Sequence, residues 1–270
     1  MLDLLELDPS WLPPVLESPA VSGHTSDGVP VAAGAGDCAA AALGVGVDRP
    51  GPVSVVLGTS GVVFAALPAF RADERARVHS FCHAVPGGWH AMGVMLSAAG
   101  SLQWLRDTIA PDVSFQALVG EAERWAPGTE GLVFLPYLQG ERTPYADPDA
   151  RGAFVGLQLR HDRGALVRAV LEGVACGLRD SLELLRGLGV EVTSARASGG
   201  GARSDLWLRI CASALAVPIE SRLLPPLLGE AEVHHHRPHP AGALFIRHQH
   251  HIFRLEIAMH DLQVMGMLQP

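Results

Sequence analysis

The sequence predicts an α/β or α+β domain that fills most of the chain, and three observations support this prediction. Runs of β-branched and other apolar residues at 53–57 and 62–67 are typical of strands. A long amphipathic helix follows much later, and strands that come first and then alternate with helices favour these two fold classes. Apolar residues make up 48 % of the 270 residues, which is enough to bury a sizeable core.

The first half of the chain contains most of the predicted strands. Residues 53–57 and 62–67 are two strands joined by the glycine-flanked turn 58–61. A third strand is predicted over residues 89–96. Residues 98–109 are predicted to form a helix, because apolar residues recur there at spacings of three and four.

The second half is predicted to contain one further strand and two helices. Residues 132–137 are a short apolar run that leads into a proline-bearing loop. The longest helix starts after Asp162, a good N-cap, and is expected to end at Gly187 or Gly189. A glycine run then opens a last helix over residues 204–215.

Composition indicates a soluble cytoplasmic protein. The net charge of −8 argues against a nucleic-acid partner. The sequence contains no window of 18 uninterrupted apolar residues, so we expect no membrane span. Acidic residues stand near Met1, where a secretory signal needs basic ones. The four cysteines are scattered without C-x-x-C spacing, so we expect neither a zinc site nor a disulfide framework from them. All 20 basic residues are arginines, so a Walker-type lysine loop is excluded and any nucleotide phosphates must be bound by backbone amides.

The composition changes near residue 220. Eight of the 13 histidines fall in the last 50 residues, and residues 221–270 are therefore predicted to be a separate, poorly ordered tail. The alternative is a metal-binding tail in which His234, His235, His236 and His239 chelate a transition metal.

One carboxylate stands where a glycine-rich turn enters a helix. Gly34 and Gly36 precede Asp37, and the alanine-rich run 39–43 follows it. Such a carboxylate is either an N-cap of the helix or a general base exposed at a cleft.

Two further glycine clusters allow a close approach to backbone. The turn of Gly58, Thr59 and Ser60, called here the 58–60 turn, either presents amides and hydroxyls to phosphate oxygens or is an ordinary hairpin turn. The run of Gly199, Gly200 and Gly201, called here the 199–201 run, either admits a nucleotide or provides tight strand-to-helix packing.

In this order the clusters resemble the C-terminal domain of the FGGY carbohydrate kinases. The matching stretches include VPVAAGAGDCAAAALGVGV, VSVVLGTSGVVFAAL, GLVFLPYLQGERTPYADPDARGAFVGL and SGGGARSDLWLRICASAL, and the resemblance runs over residues 5–220. It implies an α/β fold of the actin, Hsp70 and sugar-kinase type (ribonuclease H-like), with a mixed sheet flanked by helices. Within the family, FCHAVPGGWHAMGVMLSAA is most similar to the kinases of D-xylulose.

The resemblance also implies roles for single residues. Asp37 corresponds to the base that takes the proton of the sugar hydroxyl. The substrates implied are ATP with Mg²⁺ and a small sugar, a pentulose. The residues that correspond to nucleotide-binding positions are Gly58, Thr59, Ser60, Gln103, Gly199, Gly200, Gly201 and Ser204.

Three departures from the family pattern qualify this interpretation. No D-x-G-T phosphate motif occurs, so we expect the chain to be about half an enzyme whose partner is an N-terminal kinase half. Cys38 follows the candidate base, where relatives usually carry Asn or Gln. The resemblance stops at Glu220. The alternatives are therefore an inactive remnant or nucleotide-binding module, and a kinase for another pentulose or polyol.

Several other residues are interpreted as structural rather than functional. His79, His83 and His90 are predicted to be ordinary loop and strand residues and not a metal site. Trp104 and Trp207 are predicted to lie in the core.

Overall fold

A mixed six-stranded sheet is the centre of residues 2–221, the part of the chain that this computed structural model describes. The strands, in chain order, are β1 (Val21–His24), β2 (Pro30–Ala32), β3 (Gly51–Leu57), β4 (Gly61–Leu67), β5 (His79–Cys82), β6 (Trp89–Met95), β7 (Val133–Leu135), β8 (Ala153–Val155), β9 (Val192–Ser198) and β10 (Ile219–Ser221). The helices are α1 (Asp37–Gly44), α2 (Ala99–Ile109), α3 (Phe115–Ala122), α4 (Arg163–Gly187) and α5 (Asp205–Leu215).

The central sheet combines parallel and antiparallel pairs in the order β10-β9-β3-β4-β6-β5. Strand β9 is parallel to both of its neighbours, and its pairing with β3 puts Val56 opposite Ser198. The other neighbours are antiparallel, so β3 and β4 form a hairpin that closes at the pair of Leu57 and Gly61. The carboxyl ends of β3 and β9 therefore lie side by side.

Side chains of opposite strand faces enter two separate cores. On β4, Val63 and Ala65 join the main core, which α4 covers together with α2, α3 and α5. Phe64, between them in sequence, points to the other face and packs with Ala39 and Ala42 of α1 in a smaller core. This alternation follows the two-residue period of a strand, and it buries the sheet between helices on both faces.

The predicted fold, a mixed sheet flanked by helices, is confirmed. The strands predicted before and after the 58–60 turn, the third strand and the helix of α2 match the observed elements to within about two residues, the usual uncertainty of helix and strand ends. The carboxylate of Asp162 accepts a hydrogen bond from the N–H of Ala165 and caps α4, as its sequence position predicts.

The sequence analysis missed several short elements and also β9, which is as long as β3 and β4. After Val192 and Thr193, β9 continues with small and polar residues, so it lacks the repeated valines that mark β3 and β4. The predictions for the tail fall outside residues 2–221, except that Ser221 belongs to β10. Within residues 2–221, no helix combines the length and the apolar character that crossing a membrane requires.

Candidate active site

The 58–60 turn is held from behind by the start of α2. The carbonyl oxygen of Gly58 accepts a hydrogen bond from the N–H of Ala99 (2.8 Å), and the carbonyl oxygen of Thr59 accepts from Ala98 (2.8 Å) and Gly100 (3.2 Å). These amides are therefore satisfied by the turn and hold its shape instead of facing a ligand. Gly100 allows the contact, because a Cβ there would lie 3.0 Å from the Thr59 carbonyl oxygen.

The outer side of the same turn faces solvent. Thr59 and Ser60 are exposed, and the Ser60 hydroxyl donates to the carbonyl oxygen of Leu96 (3.3 Å). The backbone is that of a hairpin turn, as one of the two sequence interpretations has it, and the exposed side of the turn is compatible with the other interpretation.

The 199–201 run contains glycines with different surroundings. Gly199 has φ +87°, and a Cβ there would lie 2.7 Å from the carbonyl oxygen of Leu57. A Cβ on Gly201 would lie 2.9 Å from the ring of Trp207, which is buried and donates from its indole N–H to Leu171. Gly200 differs from both, because it is exposed and nothing lies within 4 Å of an added Cβ. Tight packing explains Gly199 and Gly201, and only Gly200 presents bare backbone to open space.

The two glycine motifs are brought together by the parallel pairing of β3 and β9. A Cβ on Gly199 would lie 3.0 Å from the backbone nitrogen of Gly58. The motifs are far apart in sequence, and they meet because both follow strands that end at the same edge of the sheet. Ligand crevices of open α/β sheets lie outside such carboxyl ends.

Gln103 and Ser204 flank this edge in different ways. Gln103 is exposed on α2, one helical turn beyond Ala99 and therefore on the same helix face. The hydroxyl of Ser204 accepts from the N–H of Trp207 (3.2 Å) and caps α5. The predicted nucleotide position of Ser204 thus coincides with a capping role that already uses its oxygen as an acceptor.

Asp37 is the first residue of α1, on a different element from the glycine motifs. The N-cap is Gly36, so the N-cap alternative for Asp37 is wrong by one residue. The carboxylate is exposed and accepts from the N–H of Cys38 (2.7 Å). An exposed carboxylate at a helix N-terminus is stabilised by the helix dipole and is accessible to a substrate hydroxyl.

The neighbouring thiol does not contribute a negative charge. Burial raises the pKa of Cys38, and the charge of Asp37 adds to the effect, so the thiol stays protonated at neutral pH. Of these two neighbouring side chains at the start of α1, Asp37 and not Cys38 therefore carries the negative charge.

The opposite end of α1 is fixed to the sheet. Arg196 of β9 donates to the carbonyl oxygens of Val45 (2.8 Å) and Gly46 at the end of the helix. The Nε2 atom of His83 lies 3.0 Å from the carbonyl oxygen of Val47. Sequence analysis missed the role of Arg196; the signal available was a single arginine among the small residues of a strand.

Of the histidines and tryptophans interpreted above as structural, His90 and Trp207 are buried and Trp104 is not. His90 stacks on Phe64 with ring centroids 4.3 Å apart, and burial lowers its pKa to about 4. Within residues 2–221 no cluster of three or more His, Cys, Asp or Glu side chains is arranged to hold a metal ion. Trp207 is in the core as predicted, whereas Trp104 is 40 % exposed and covers Phe134, so its prediction as a core residue is wrong.

Comparison with known proteins places these features in a family. Residues 53–223 match the C-terminal domain of the FGGY family of carbohydrate kinases. The xylulose kinase of Escherichia coli K12 is 42 % identical over 208 residues, which cover 76 % of this chain and 43 % of that protein. A xylulose kinase structure from Brucella ovis superposes with a TM-score of 0.76 at 44 % identity, over 82 % of this chain and 47 % of that one.

A relative with another substrate in its name also matches. The gluconokinase of Bacillus subtilis is 35 % identical over 190 residues, covering 66 % of this chain and 37 % of that protein. The chain thus spans less than half the length of each of these three relatives.

Proposed function

Because this chain belongs to the FGGY family of carbohydrate kinases, we propose that it forms the nucleotide-binding wall and supplies the base of an ATP-dependent sugar kinase. The observation that carries the proposal is the meeting of the 58–60 turn and the 199–201 run at one sheet edge. Exposed backbone at Thr59, Ser60 and Gly200 suits the phosphates and the adenosine of ATP, and a chain without lysine needs such amides.

The residues present also fit a magnesium ion that arrives with the nucleotide. Mg²⁺ at kinase sites keeps several waters and binds phosphate oxygens with only one or two carboxylates. Asp37 is kept as the proposed base and is not a magnesium ligand, so Mg²⁺ would be held by the phosphate oxygens and by waters, where it would neutralise phosphate charge during transfer.

In the proposed reaction, a sugar hydroxyl oxygen attacks the γ-phosphorus of ATP while the bond to the β,γ-bridging oxygen breaks. Asp37 accepts the hydroxyl proton, and ADP leaves. Phosphoryl transfer depends mostly on positioning and charge stabilisation, so an exposed carboxylate on an anchored helix is a suitable base.

We propose D-xylulose as the sugar, since the two relatives reported above at 42 % and 44 % identity are xylulose kinases. The gluconokinase relative makes gluconate the second candidate. D-xylulose is a neutral five-carbon ketose and gluconate a six-carbon carboxylate, so assays with both, and with other pentuloses and polyols, distinguish them.

The test supplies the region that this chain does not share with its relatives. An N-terminal half of a xylulose kinase carrying the D-x-G-T motif is co-expressed with the chain, and sugar-dependent ADP release is measured. We expect release only with both halves present, because closure of a cleft between them is needed to exclude water and align the reactants. Sugar-dependent turnover by the chain alone would contradict the two-wall proposal, and binding of nucleotide without turnover in any combination would favour a non-catalytic nucleotide-binding module.

In the active combination, Asp37→Asn should lower kcat by about a hundredfold or more while the affinity for ADP changes little, because the variant loses the base and keeps the shape. The matched control is Asp48→Asn, which changes an exposed carboxylate that pairs with neighbouring Arg49. Equal kcat values for the two variants would refute the role of Asp37.

A further inference from the structure

Glu141 is a buried carboxylate in a loop that the reaction itself does not use. Its side chain is only 3 % exposed, and one oxygen, Oε1, accepts hydrogen bonds from the N–H groups of Leu96 (2.9 Å) and Arg142 (2.7 Å). Burial raises the pKa of Glu141, and the two amides oppose that effect. Burying a carboxylate is costly unless its oxygens are hydrogen-bonded, so the amides of Leu96 and Arg142 are the partners that compensate this cost.

The loop containing Glu141 extends the edge of the central sheet. Strand β5 pairs with β6 only as far as His79 opposite Met92. Beyond that point Thr143 takes over, since its N–H donates to the carbonyl oxygen of Val94 (3.0 Å) and its hydroxyl accepts from the N–H of Val94 (3.0 Å). Glu141 then accepts a hydrogen bond from the next amide along this edge of the sheet, that of Leu96.

Leu96 connects this edge to the 58–60 turn. Its carbonyl oxygen accepts the hydroxyl of Ser60 (3.3 Å), and the following residues 98–100 donate their amides to Gly58 and Thr59. The peptide between Met95 and α2 is therefore held by Glu141 on one side and holds the turn on the other.

We propose that Glu141 is a positioning residue that fixes the 58–60 turn for the phosphates of the nucleotide, through Leu96 and the first amides of α2. The role of the turn in binding phosphates rests on the proposed function. The hydrogen-bonded connection from Glu141 through Leu96 to the turn does not. The outer side of the turn faces solvent, so its shape depends on the hydrogen bonds that Leu96 and residues 98–100 make with it.

The hydrogen-bond pattern determines which substitutions are informative. Both bonds end on Oε1, so Glu141→Gln can keep both while losing the charge. Glu141→Ala leaves the amides of Leu96 and Arg142 without their acceptor in a buried place. Glu141→Asp keeps the charge, but its side chain is one methylene too short to reach the amides of both Leu96 and Arg142. It replaces the alanine variant in these experiments if that variant does not fold.

The first measurement is amide hydrogen exchange of the full chain. We expect Glu141→Ala and Glu141→Asp to accelerate exchange at residues 96–100 selectively, and Glu141→Gln to restore nearly the original rates. Glu172→Ala is the control for general destabilisation: Glu172 lies on α4, is also buried, and accepts from the backbone amide of Gly128 (3.1 Å), and it additionally pairs with buried Arg168. Exchange at residues 96–100 that stays unchanged, or that rises no more than in Glu172→Ala, would overturn the proposal.

The second measurement is the affinity for Mg²⁺–ADP by calorimetry. We expect Glu141→Ala to weaken binding on the order of tenfold, Glu141→Gln to restore it and Glu172→Ala to leave it unchanged. Selective acceleration of exchange with unaltered ADP affinity would confirm the link between Glu141 and the turn and overturn the phosphate role of the turn. The two measurements therefore distinguish failure of the connection between Glu141 and the turn from failure of the proposed phosphate role.

Discussion

At the scale of single residues, the 199–201 run shows how one motif divides its tasks. Gly199 and Gly201 allow backbone and the Trp207 ring to approach closely, and Gly200 leaves backbone open to solvent. The sequence predicts the run and its place before a helix, but it carries no signal for which of the three glycines is exposed. That assignment depends on β3, whose Leu57 lies more than a hundred residues away and contacts Gly199.

Alanine substitutions separate these tasks. Gly199→Ala places a Cβ at φ +87° and 2.7 Å from a carbonyl oxygen, so we expect it to lower the free energy of unfolding by about 2 kcal/mol or more. Gly200→Ala meets no atom, and its stability should lie within about 0.5 kcal/mol of the original protein, while its methyl group weakens ADP binding. Urea denaturation and calorimetry measure both effects; equal destabilisation by the two variants would contradict this division.

At the scale of elements, α1 is positioned from its C-terminal end. Arg196 and His83 hold the carbonyl groups that follow the helix, and Ala39 and Ala42 pack on the sheet, so Asp37 is carried at the free end. Sequence analysis predicted the helix from its alanine run. The anchor escaped it because Arg196 lies on β9, whose small residues give no strong strand signal.

Replacing the anchor should loosen the helix. Arg196→Met keeps a long apolar side chain but removes the donors to Val45 and Gly46, so we expect a loss of about 1–3 kcal/mol in the free energy of unfolding and faster amide exchange along α1. Arg209→Met is the control, because Arg209 is half-exposed and pairs only with Glu123 at the surface. Exchange rates along α1 that match those of the control would show that Arg196 does not anchor the helix.

At the scale of the whole molecule, the parallel pair of β3 and β9 assembles the candidate site. Local patterns predict the hairpin of β3 and β4, the α4 helix and the glycine motifs, since each depends on neighbours in sequence. The pairing of Val56 with Ser198 depends on a strand that follows three intervening α-helices, and periodicity does not predict that pairing. The family resemblance implied that both motifs correspond to nucleotide-binding positions, and the structure supplies the register that brings them together.

The long α4 helix also carries a titratable group into the interior. Asp180 is half-buried, and burial raises its pKa to about 6. Tyr137, Tyr145 and Glu141 face it from the loops packed against the helix, and each of them is affected by its negative charge. On α4 itself Arg179 lowers the pKa of Asp180, and Glu183 raises it; Cys176 also faces Asp180.

This environment predicts how stability depends on pH. Between about pH 4 and pH 6 the folded protein binds more protons at Asp180 than the unfolded chain does, so stability falls as the pH rises through that range and the loss is complete above it. Asp180→Asn removes the ionised form. Because partial exposure screens part of the effect, we expect a gain of about 1–2 kcal/mol at pH 8 that disappears at pH 4.

Urea denaturation of the original protein and of Asp180→Asn at both pH values measures this gain. Asp149→Asn is the control, because the side chain of Asp149 is 93 % exposed and its removal should change stability little at either pH. A gain for Asp180→Asn that is the same at pH 4 and pH 8 would show that packing of the amide, and not the removal of a buried charge, causes it. A loss of stability at pH 8 would mean that the ionised carboxylate is favourable in the fold, contrary to the desolvation that raises its pKa.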